Sequence, residues 1–151
     1  MRKESLLEHS FPYLTEARIW MSGDLREGGA GFVSDGSRAR PLNLPTLLFG
    51  LFVALCRKAQ SDAAAALDEW IPRGFLATRQ MHREMVSLGL EADQDYVLKY
   101  VHRLREEIDL SLGEGWGMKL IEYRKPFGYR ISTPPENVSL RLLSSGDGSP
   151  T

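Results

Sequence analysis

One segment of the sequence, residues 97–108, combines an apolar stripe with long polar side chains. Its apolar residues recur at i, i+4, i+7 and i+11, as Val97, Val101, Leu104 and Ile108. At about 100° per residue these positions share one face of a helix, so we expect that face to enter a core. The opposite face carries Lys99, His102 and Arg103, whose side chains are long enough to reach a phosphate or a base edge. Arginine also presents a planar fork that matches the O6 and N7 atoms of guanine.

A second segment, further along the chain, has the pattern of a β-hairpin. Two β-like runs, Met118–Tyr123 and Gly128–Ser132, flank a turn at residues 125–127 that contains a proline. Between Lys119 and Arg130 there are four basic residues and one acidic residue. Positive charge is therefore concentrated in the hairpin, although the wider region 93–133 balances seven basic residues against seven acidic ones.

The elements that would hold these two segments lie upstream. Short β-like stretches at Arg18–Met21, Gly31–Ser34 and Arg38–Leu42, separated by turn signals, predict a small antiparallel sheet. The Asp35-Gly36 pair between two of these stretches is a hairpin signal. Thr46–Lys58 is apolar nearly all round, which predicts a helix that is buried on most sides.

Two further helices are predicted before the hairpin. Residues 61–70 add an alanine-rich turn or an extension of the first helix. Thr78 is a suitable N-cap for a second helix that runs to Val86, and Gly89 would stop it. Asp93 or Asp95 would then cap the helix over residues 97–108.

The chain divides into three regions. We predict an N-terminal arm or short helix over 1–16, one domain over 17–133, and a largely disordered tail over 134–151. Within that tail, Val138–Leu143 would add a strand or act as an adhesive segment. Within the domain, we expect Gly113–Gly117 to be a flexible turn before the hairpin, because it lacks the residues of a phosphate-binding loop.

Three stretches, which occur in the same order along the chain as in the family, resemble the OmpR/PhoB-type winged-helix domain. Residues 97–108, VLKYVHRLREEI, are similar to its recognition helix, which is roughly V-D-V-H-I-x-R-L-R-K-K-L. Residues 121–131, IEYRKPFGYRI, are similar to its wing, I-E-T-V-R-G-x-G-Y-R-L. Residues 44–55, LPTLLFGLFVAL, follow its first-helix pattern, L-T-x-x-E-F-x-L-L-x-x-L, apart from Leu48 where an acidic residue is expected. The resemblance covers roughly residues 18–132.

The resemblance implies an α+β fold, a winged helix-turn-helix with an N-terminal antiparallel sheet, a three-helix core and a C-terminal β-hairpin wing. It also implies sequence-specific binding of double-stranded DNA by a bacterial transcription regulator. Because 151 residues are too few for a receiver domain joined to a winged helix, we expect a regulator without its own receiver domain. The third helix would enter the major groove and the wing would lie on the backbone. The DNA-facing positions of the family fall on Tyr96, Lys99, Tyr100, His102, Arg103, Arg105, Lys125 and Arg130. Of these, Arg103 occupies the position most associated with base contact.

Acidic residues depart from the family pattern and keep a second interpretation open. Glu106 and Glu107 stand where a Lys-Lys pair is expected, and Asp95 stands where a basic or small polar residue is frequent. Because one nearly neutral domain offers few phosphate contacts, a homodimer or a partner protein would be needed for DNA binding. The alternative is a protein-interaction or adaptor module in a larger assembly. In that case the third helix and the apolar tail would dock on another protein. If the third helix contacts neither DNA nor protein, its charges form a solvated face, with Arg103 and Glu107 paired at i, i+4.

Nothing in the sequence supports catalysis, a cofactor or a metal site. Cys56, the only cysteine, lies in the apolar helix and is expected to be a small core residue. His9, His82 and His102 have no ligand-like spacing. The N-terminus has no signal-peptide segment, and the apolar run 44–56 is shorter than the ~20 residues that span a bilayer. We therefore expect a cytoplasmic protein with no membrane partner.

Overall fold

The computed structural model describes residues 11–65, 67–68 and 71–143. Most of the predicted N-terminal arm, residues 1–10, and the last part of the predicted tail, residues 144–151, lie outside the described residues. The strands are β1 (Arg18–Asp24), β2 (Gly28–Ser34), β3 (Ala39–Leu44), β4 (Ile121–Arg124), β5 (Gly128–Ile131) and β6 (Val138–Leu142). The helices are α1 (Thr46–Ala64), α2 (Thr78–Ser87), α3 (Val97–Leu112) and α4 (Trp116–Leu120). The α+β class is therefore confirmed.

The first three strands form the predicted antiparallel sheet. β1 pairs with β2, and β2 pairs with β3. The Asp35 carboxylate holds the turn between β2 and β3, because it accepts hydrogen bonds from the backbone N–H groups of Ser37 and Arg38 at 2.9 and 3.0 Å. These two bonds and a third from the Ser37 hydroxyl lower the pKa of Asp35 to about 2. The hairpin signal in the sequence thus corresponds to a turn stabilised by its own aspartate.

The C-terminal part of the chain completes this sheet, which corrects two predictions. The strand order is β3-β2-β1-β6, and β6 runs parallel to β1, so the sheet is not purely antiparallel. Of the two alternatives for Val138–Leu143, the strand is the one observed, and because it belongs to the sheet the domain extends past its predicted end at residue 133. The inward side chains of β6 pack against the core, which gives this segment apolar surface to bury. They are Val138, Leu140 and Leu142.

The long helix α1 fills the centre of the domain, as its apolar sequence predicts. Every residue from Leu48 to Cys56 is buried, and the helix continues past the predicted end at Lys58 to Ala64. The ring of Phe49 packs directly on β2 at Gly29, where a Cβ atom would lie 2.3 Å from a ring carbon. Glycine is therefore required at this position for the helix to approach the sheet so closely.

Helices α2 and α3 lie close to their predicted positions. The first turn of α2 is closed by Gln80, whose side-chain oxygen accepts the Ala77 N–H at 2.8 Å, and Gly89 follows the helix with φ +89°. The predicted caps are displaced. The N-cap of α2 is Ala77 and not Thr78, and Asp93 caps the 3-10 turn Gln94–Tyr96 before α3, where its carboxylate accepts the Asp95 N–H at 2.9 Å. The predicted apolar stripe of α3 is buried throughout: Val97, Val101, Leu104 and Ile108.

A short helix, α4, replaces the predicted flexible turn and the first residues of the predicted β-run. The N–H of Gly117 donates to the Asp109 carboxylate at 2.7 Å, and a Cβ atom on Gly117 would lie 2.2 Å from the Arg105 carbonyl oxygen. This close contact with α3 fixes the chain in a helical turn, so β4 starts at Ile121 and not at Met118. A tertiary contact has overridden the local β pattern.

The hairpin of β4 and β5 is joined to the segment that precedes α2. Glu122 and Arg130 lie directly opposite each other across the hairpin. Leu76 adds a bridge to β5: its N–H donates to the Tyr129 carbonyl at 2.8 Å, and the Tyr129 N–H donates to the Leu76 carbonyl at 2.9 Å. The hairpin is therefore fixed to the helical part of the domain by backbone hydrogen bonds.

Replacing Leu104 by alanine should test the register of α3. Leu104 is fully buried (0% exposed), so Leu104→Ala should lower the free energy of unfolding by about 2–5 kcal/mol. Leu110 on the same helix is 81% exposed, so Leu110→Ala should change it by less than about 0.5 kcal/mol. Urea titration of both variants measures the difference, and equal losses would contradict this register.

Candidate nucleic-acid interface

The exposed face of α3 presents long polar and charged side chains on a rigid base. Lys99, His102 and Arg103 are exposed, and Tyr96, just before the helix, is 48% exposed. The Lys99 ammonium lies 5.1 Å from the centroid of the Tyr96 ring, a distance typical of a cation–π contact. Because the opposite face of the helix is fully buried, these side chains project from a surface that the core holds in place.

Arg103 has an unpaired guanidinium. Within the described residues it forms no ion pair or hydrogen bond, so the i, i+4 pair with Glu107, expected on the alternative interpretation, is not formed. Glu107 is half-buried and, with Arg103 and Tyr100, lines a cavity of about 570 Å³ beside the start of α1. Glu106 is exposed. It is thus the glutamate closest to the outward face that carries Arg103.

Two of the predicted DNA-facing residues of α3 are engaged in packing. Tyr100 is half-buried and packs against the core. Arg105 donates from Nε and Nη2 to the carbonyl of Ile121 at 3.0 and 2.6 Å, and its guanidinium lies 5.3 Å from the Tyr129 ring centroid. Burial lowers the pKa of Arg105, although a guanidinium stays protonated in proteins. These contacts position the hairpin against α3.

Arg130 is buried, which corrects its prediction as a DNA contact of the hairpin. Only 2% of its side chain is exposed, and its Nε donates to the Glu122 carboxylate at 2.8 Å. Its Nη2 donates to the carbonyl oxygens of Phe11 and Pro12, both at 2.9 Å. The guanidinium also lies 4.6 Å from the centroid of the Tyr13 ring. None of these donors is free to reach a phosphate.

A cluster of three aromatic rings joins the N-terminal segment to the hairpin and to the stretch before α2. Phe11, Phe75 and Phe127 contact one another, with ring centroids 5.3 to 5.8 Å apart. These residues come from the N-terminal segment, the stretch before α2 and the tip of the hairpin, respectively. Residues 11–16 form no helix, so the described part of the predicted arm is not helical. Because their aromatic and carbonyl groups contact the hairpin, these residues form an N-terminal strap across it.

Lys125 is the free cation at the hairpin tip. It is exposed, and it has no ion pair within the part of the chain that the structure describes. The neighbouring Arg124 instead donates to Glu122 at 2.6 Å and lies over the ring of Phe11. Of the two hairpin residues predicted to meet DNA, only Lys125 keeps its charge available.

The sequence analysis missed two exposed arginines on α2. Arg79 and Arg83 are one helical turn apart, on a helix whose buried face carries Met81 and Met85. The i, i+4 spacing of the two arginines and the matching spacing of the two methionines were the available signals. Both arginines add positive charge to the exposed side of α2.

The residues that the structure describes offer little support for a metal site, a reactive cysteine or a membrane-spanning helix. No group of three or more histidine, cysteine, aspartate or glutamate residues there is arranged to hold a metal ion. Cys56 is fully buried, and burial raises the pKa of its thiol well above the usual range, so it has the character of a core residue. None of the described helices has both the length and the apolar composition to cross a bilayer.

Removing the buried guanidinium should destabilise the domain strongly. Arg130→Ala leaves Glu122 and two backbone carbonyls without their partner, so we expect the free energy of unfolding to fall by about 3–5 kcal/mol. Arg124→Ala removes the exposed partner of the same carboxylate and should cost less than about 1 kcal/mol. Urea titrations compare the two, and a small loss for Arg130→Ala would show that its contacts are not structural.

Comparison with known proteins gives no family assignment: no protein-family model, no curated protein and no solved structure matches this chain. The function must therefore be inferred from its own fold, charges and exposed surfaces.

Proposed function

We propose that this chain is a winged-helix protein that binds double-stranded DNA, with α3 in the major groove and the β4–β5 hairpin against the sugar–phosphate backbone. The observation that carries the proposal is the exposed face of α3, where the Arg103 guanidinium is unpaired on a helix with a fully buried opposite face. An arginine held in this way can offer two N–H donors to the O6 and N7 atoms of guanine. Sequence-specific binding as a transcription regulator is the function that this chemistry fits best.

The arrangement of elements supports this interpretation. Three strands are followed by the helices α1, α2 and α3, the short helix α4 and the hairpin, and Leu76 joins the hairpin to the stretch before α2. With 16 residues, α3 is about 24 Å long, enough to lie across a major groove about 12 Å wide. Arg105 fixes the hairpin beside α3, so the Lys125 side chain at its tip is carried by a rigid support.

The available charge suggests weak binding by one copy of the domain. Lys99, Arg103 and Lys125 are exposed cations of α3 and the hairpin, and Arg79 and Arg83 add two from α2. Each neutralised phosphate contributes separately to the affinity for DNA. One copy of the domain makes few such contacts and would therefore bind DNA weakly at physiological salt. We therefore propose that two copies act on paired half-sites, whose centres would be about 34 Å apart on the duplex.

Selection of bound fragments from the genomic DNA of the native host, at about 0.1 M salt, tests the proposal. A DNA-binding protein should enrich fragments that share a short sequence, and a duplex carrying that sequence should bind more tightly than a shuffled duplex. If no shared sequence is enriched, or if the enriched and shuffled duplexes bind equally, sequence-specific binding is ruled out.

Two alanine variants should separate base contact from backbone contact. Arg103→Ala should cost about 1–3 kcal/mol of binding free energy on the selected duplex and relax its sequence preference. Lys125→Ala should weaken all duplexes alike and reduce the salt slope by about one unit. Arg57→Ala removes an equal charge from the exposed side of α1 and serves as the control. Fluorescence anisotropy titrations measure all three, and identical small effects would contradict the assigned roles.

Reversing one acidic charge on the α3 surface should improve DNA binding. Glu106→Lys replaces a carboxylate near the DNA phosphates by a cation, so affinity should rise, most clearly at low salt where screening is weak. The gain from Glu107→Lys should be smaller, because Glu107 is half-buried whereas Glu106 is exposed. The control is Glu136→Lys in the exposed 3-10 turn before β6, which changes the net charge equally. Equal gains for Glu106→Lys and Glu136→Lys would indicate only a general charge effect.

A second candidate function, docking on another protein, is favoured by exposed apolar side chains. Leu110 at the end of α3 is 81% exposed and Met118 in α4 is 67% exposed. If the protein is an adaptor that uses this end of α3, Leu110→Lys should remove a co-purifying partner protein and leave the affinity for DNA unchanged. If Glu106→Lys also weakens that complex and gains no DNA affinity, protein docking replaces DNA binding as the function.

A further inference from the structure

The outward face of the four-stranded sheet carries two exposed aromatic rings side by side. The inward residues of its strands enter the core against α1 and α3, and the alternate residues point away from it. Trp20 on β1 and Phe32 on β2 lie directly opposite each other and are 43% and 50% exposed. Large aromatic side chains on a surface are unusual enough to need an explanation, and two in register form a platform.

The surroundings of these rings leave room for planar groups. The next outward pair along the strands, Ser22 and Ala30, has small side chains, and Pro41 on β3 lies opposite Phe32. Together with Trp20 and Phe32 they line a shallow groove of about 600 Å³. Neither ring contacts another aromatic ring among the described residues. Each ring therefore has open surface on which a flat molecule can stack.

The charged groups of this face are cationic. Arg18 on β1 and Arg141 on β6 occupy outward positions and are exposed, and neither forms an ion pair within the described residues. Arg18 makes a single long hydrogen bond, 3.3 Å to the Asn137 side chain. Asp24 has an outward register position at the end of β1, but it is buried and accepts the Arg26 N–H in the turn. The open part of the groove therefore has positive charge at its rim.

We propose that this face binds single-stranded nucleic acid, with bases stacked on Trp20 and Phe32 and the backbone held by Arg18 and Arg141. Side chains opposite each other on neighbouring strands are about 5 Å apart, so they can receive successive unpaired bases. Aromatic residues on the exposed strands of a sheet are a general means of stacking such bases. A duplex does not fit, because its bases are already stacked on one another.

This site is independent of the proposed contact between α3 and duplex DNA, since it uses the opposite side of the sheet from α1 and α3. A protein ligand is disfavoured because, beside Ala30 and Pro41, the groove around the rings is also lined by polar and charged residues that interrupt any broad apolar patch. They include Ser22, Asn43, Ser139 and Arg141.

The test is titration of the full chain with fluorescent single strands of about 12 nucleotides, oligo(dT) and oligo(U), at about 50 mM salt. Wild-type protein should bind, and Trp20→Ala and Phe32→Ala should each weaken binding about 5- to 150-fold. Trp20→Tyr should retain most of the affinity, because it keeps a ring for stacking. Arg141→Gln should make the dependence of affinity on salt shallower by about 0.7 on a log–log scale.

Controls keep this test separate from folding and from the proposed duplex binding. The urea midpoint of each variant should match the wild type, because these side chains point away from the core. Arg103→Ala should leave single-strand binding unchanged, and Trp20→Ala should leave duplex binding unchanged. The inference is wrong if wild-type protein binds no single strand, or if Trp20→Ala and Phe32→Ala both bind like the wild type. It is equally wrong if sedimentation shows a dimer that Phe32→Ala dissociates while no oligonucleotide binds.

Discussion

The guanidinium of Arg130 joins three segments that are far apart in the chain. It pairs with Glu122 across the hairpin, donates to the carbonyls of the N-terminal strap, and packs over the ring of Phe75 before α2. A buried charge is costly unless every donor finds a partner, and here Nε and Nη2 both do. The hairpin is therefore held in one orientation relative to α2 and α3. The position of its exposed tip is fixed by the same contacts.

The surrounding structure determines which arginines can meet a ligand. Arg130 and Arg105 donate to backbone carbonyls and so assemble the fold, whereas Arg103 keeps its guanidinium free on the exposed side of α3. The same division occurs at the hairpin tip, where Arg124 is paired and Lys125 is not. The cations that remain free are few, so the proposed DNA contact would require two copies, and the Glu106 carboxylate would have a large influence on its affinity.

Sequence patterns predicted the elements that depend on local periodicity. The apolar stripe of α3, the all-round apolar α1 and the Asp35 turn were found because each has a period or a turn residue with a direct physical meaning. Burial of Arg130 was not predicted, because residue type alone places arginine at the surface. The position of Glu122 directly opposite Arg130 in the hairpin was the sequence signal that could have indicated a buried ion pair. Neither α4 nor the parallel pairing of β6 could be predicted, since both depend on contacts with segments distant in the sequence.

The central claim, that α3 and the hairpin tip form a DNA-binding surface, is tested most directly by backbone amide NMR chemical shifts on addition of the selected duplex. The account predicts that the largest changes fall on residues 96–106 and 123–127, with small changes on the outward face of β1 and β2. Changes confined to the sheet, or none at saturating duplex, would contradict it.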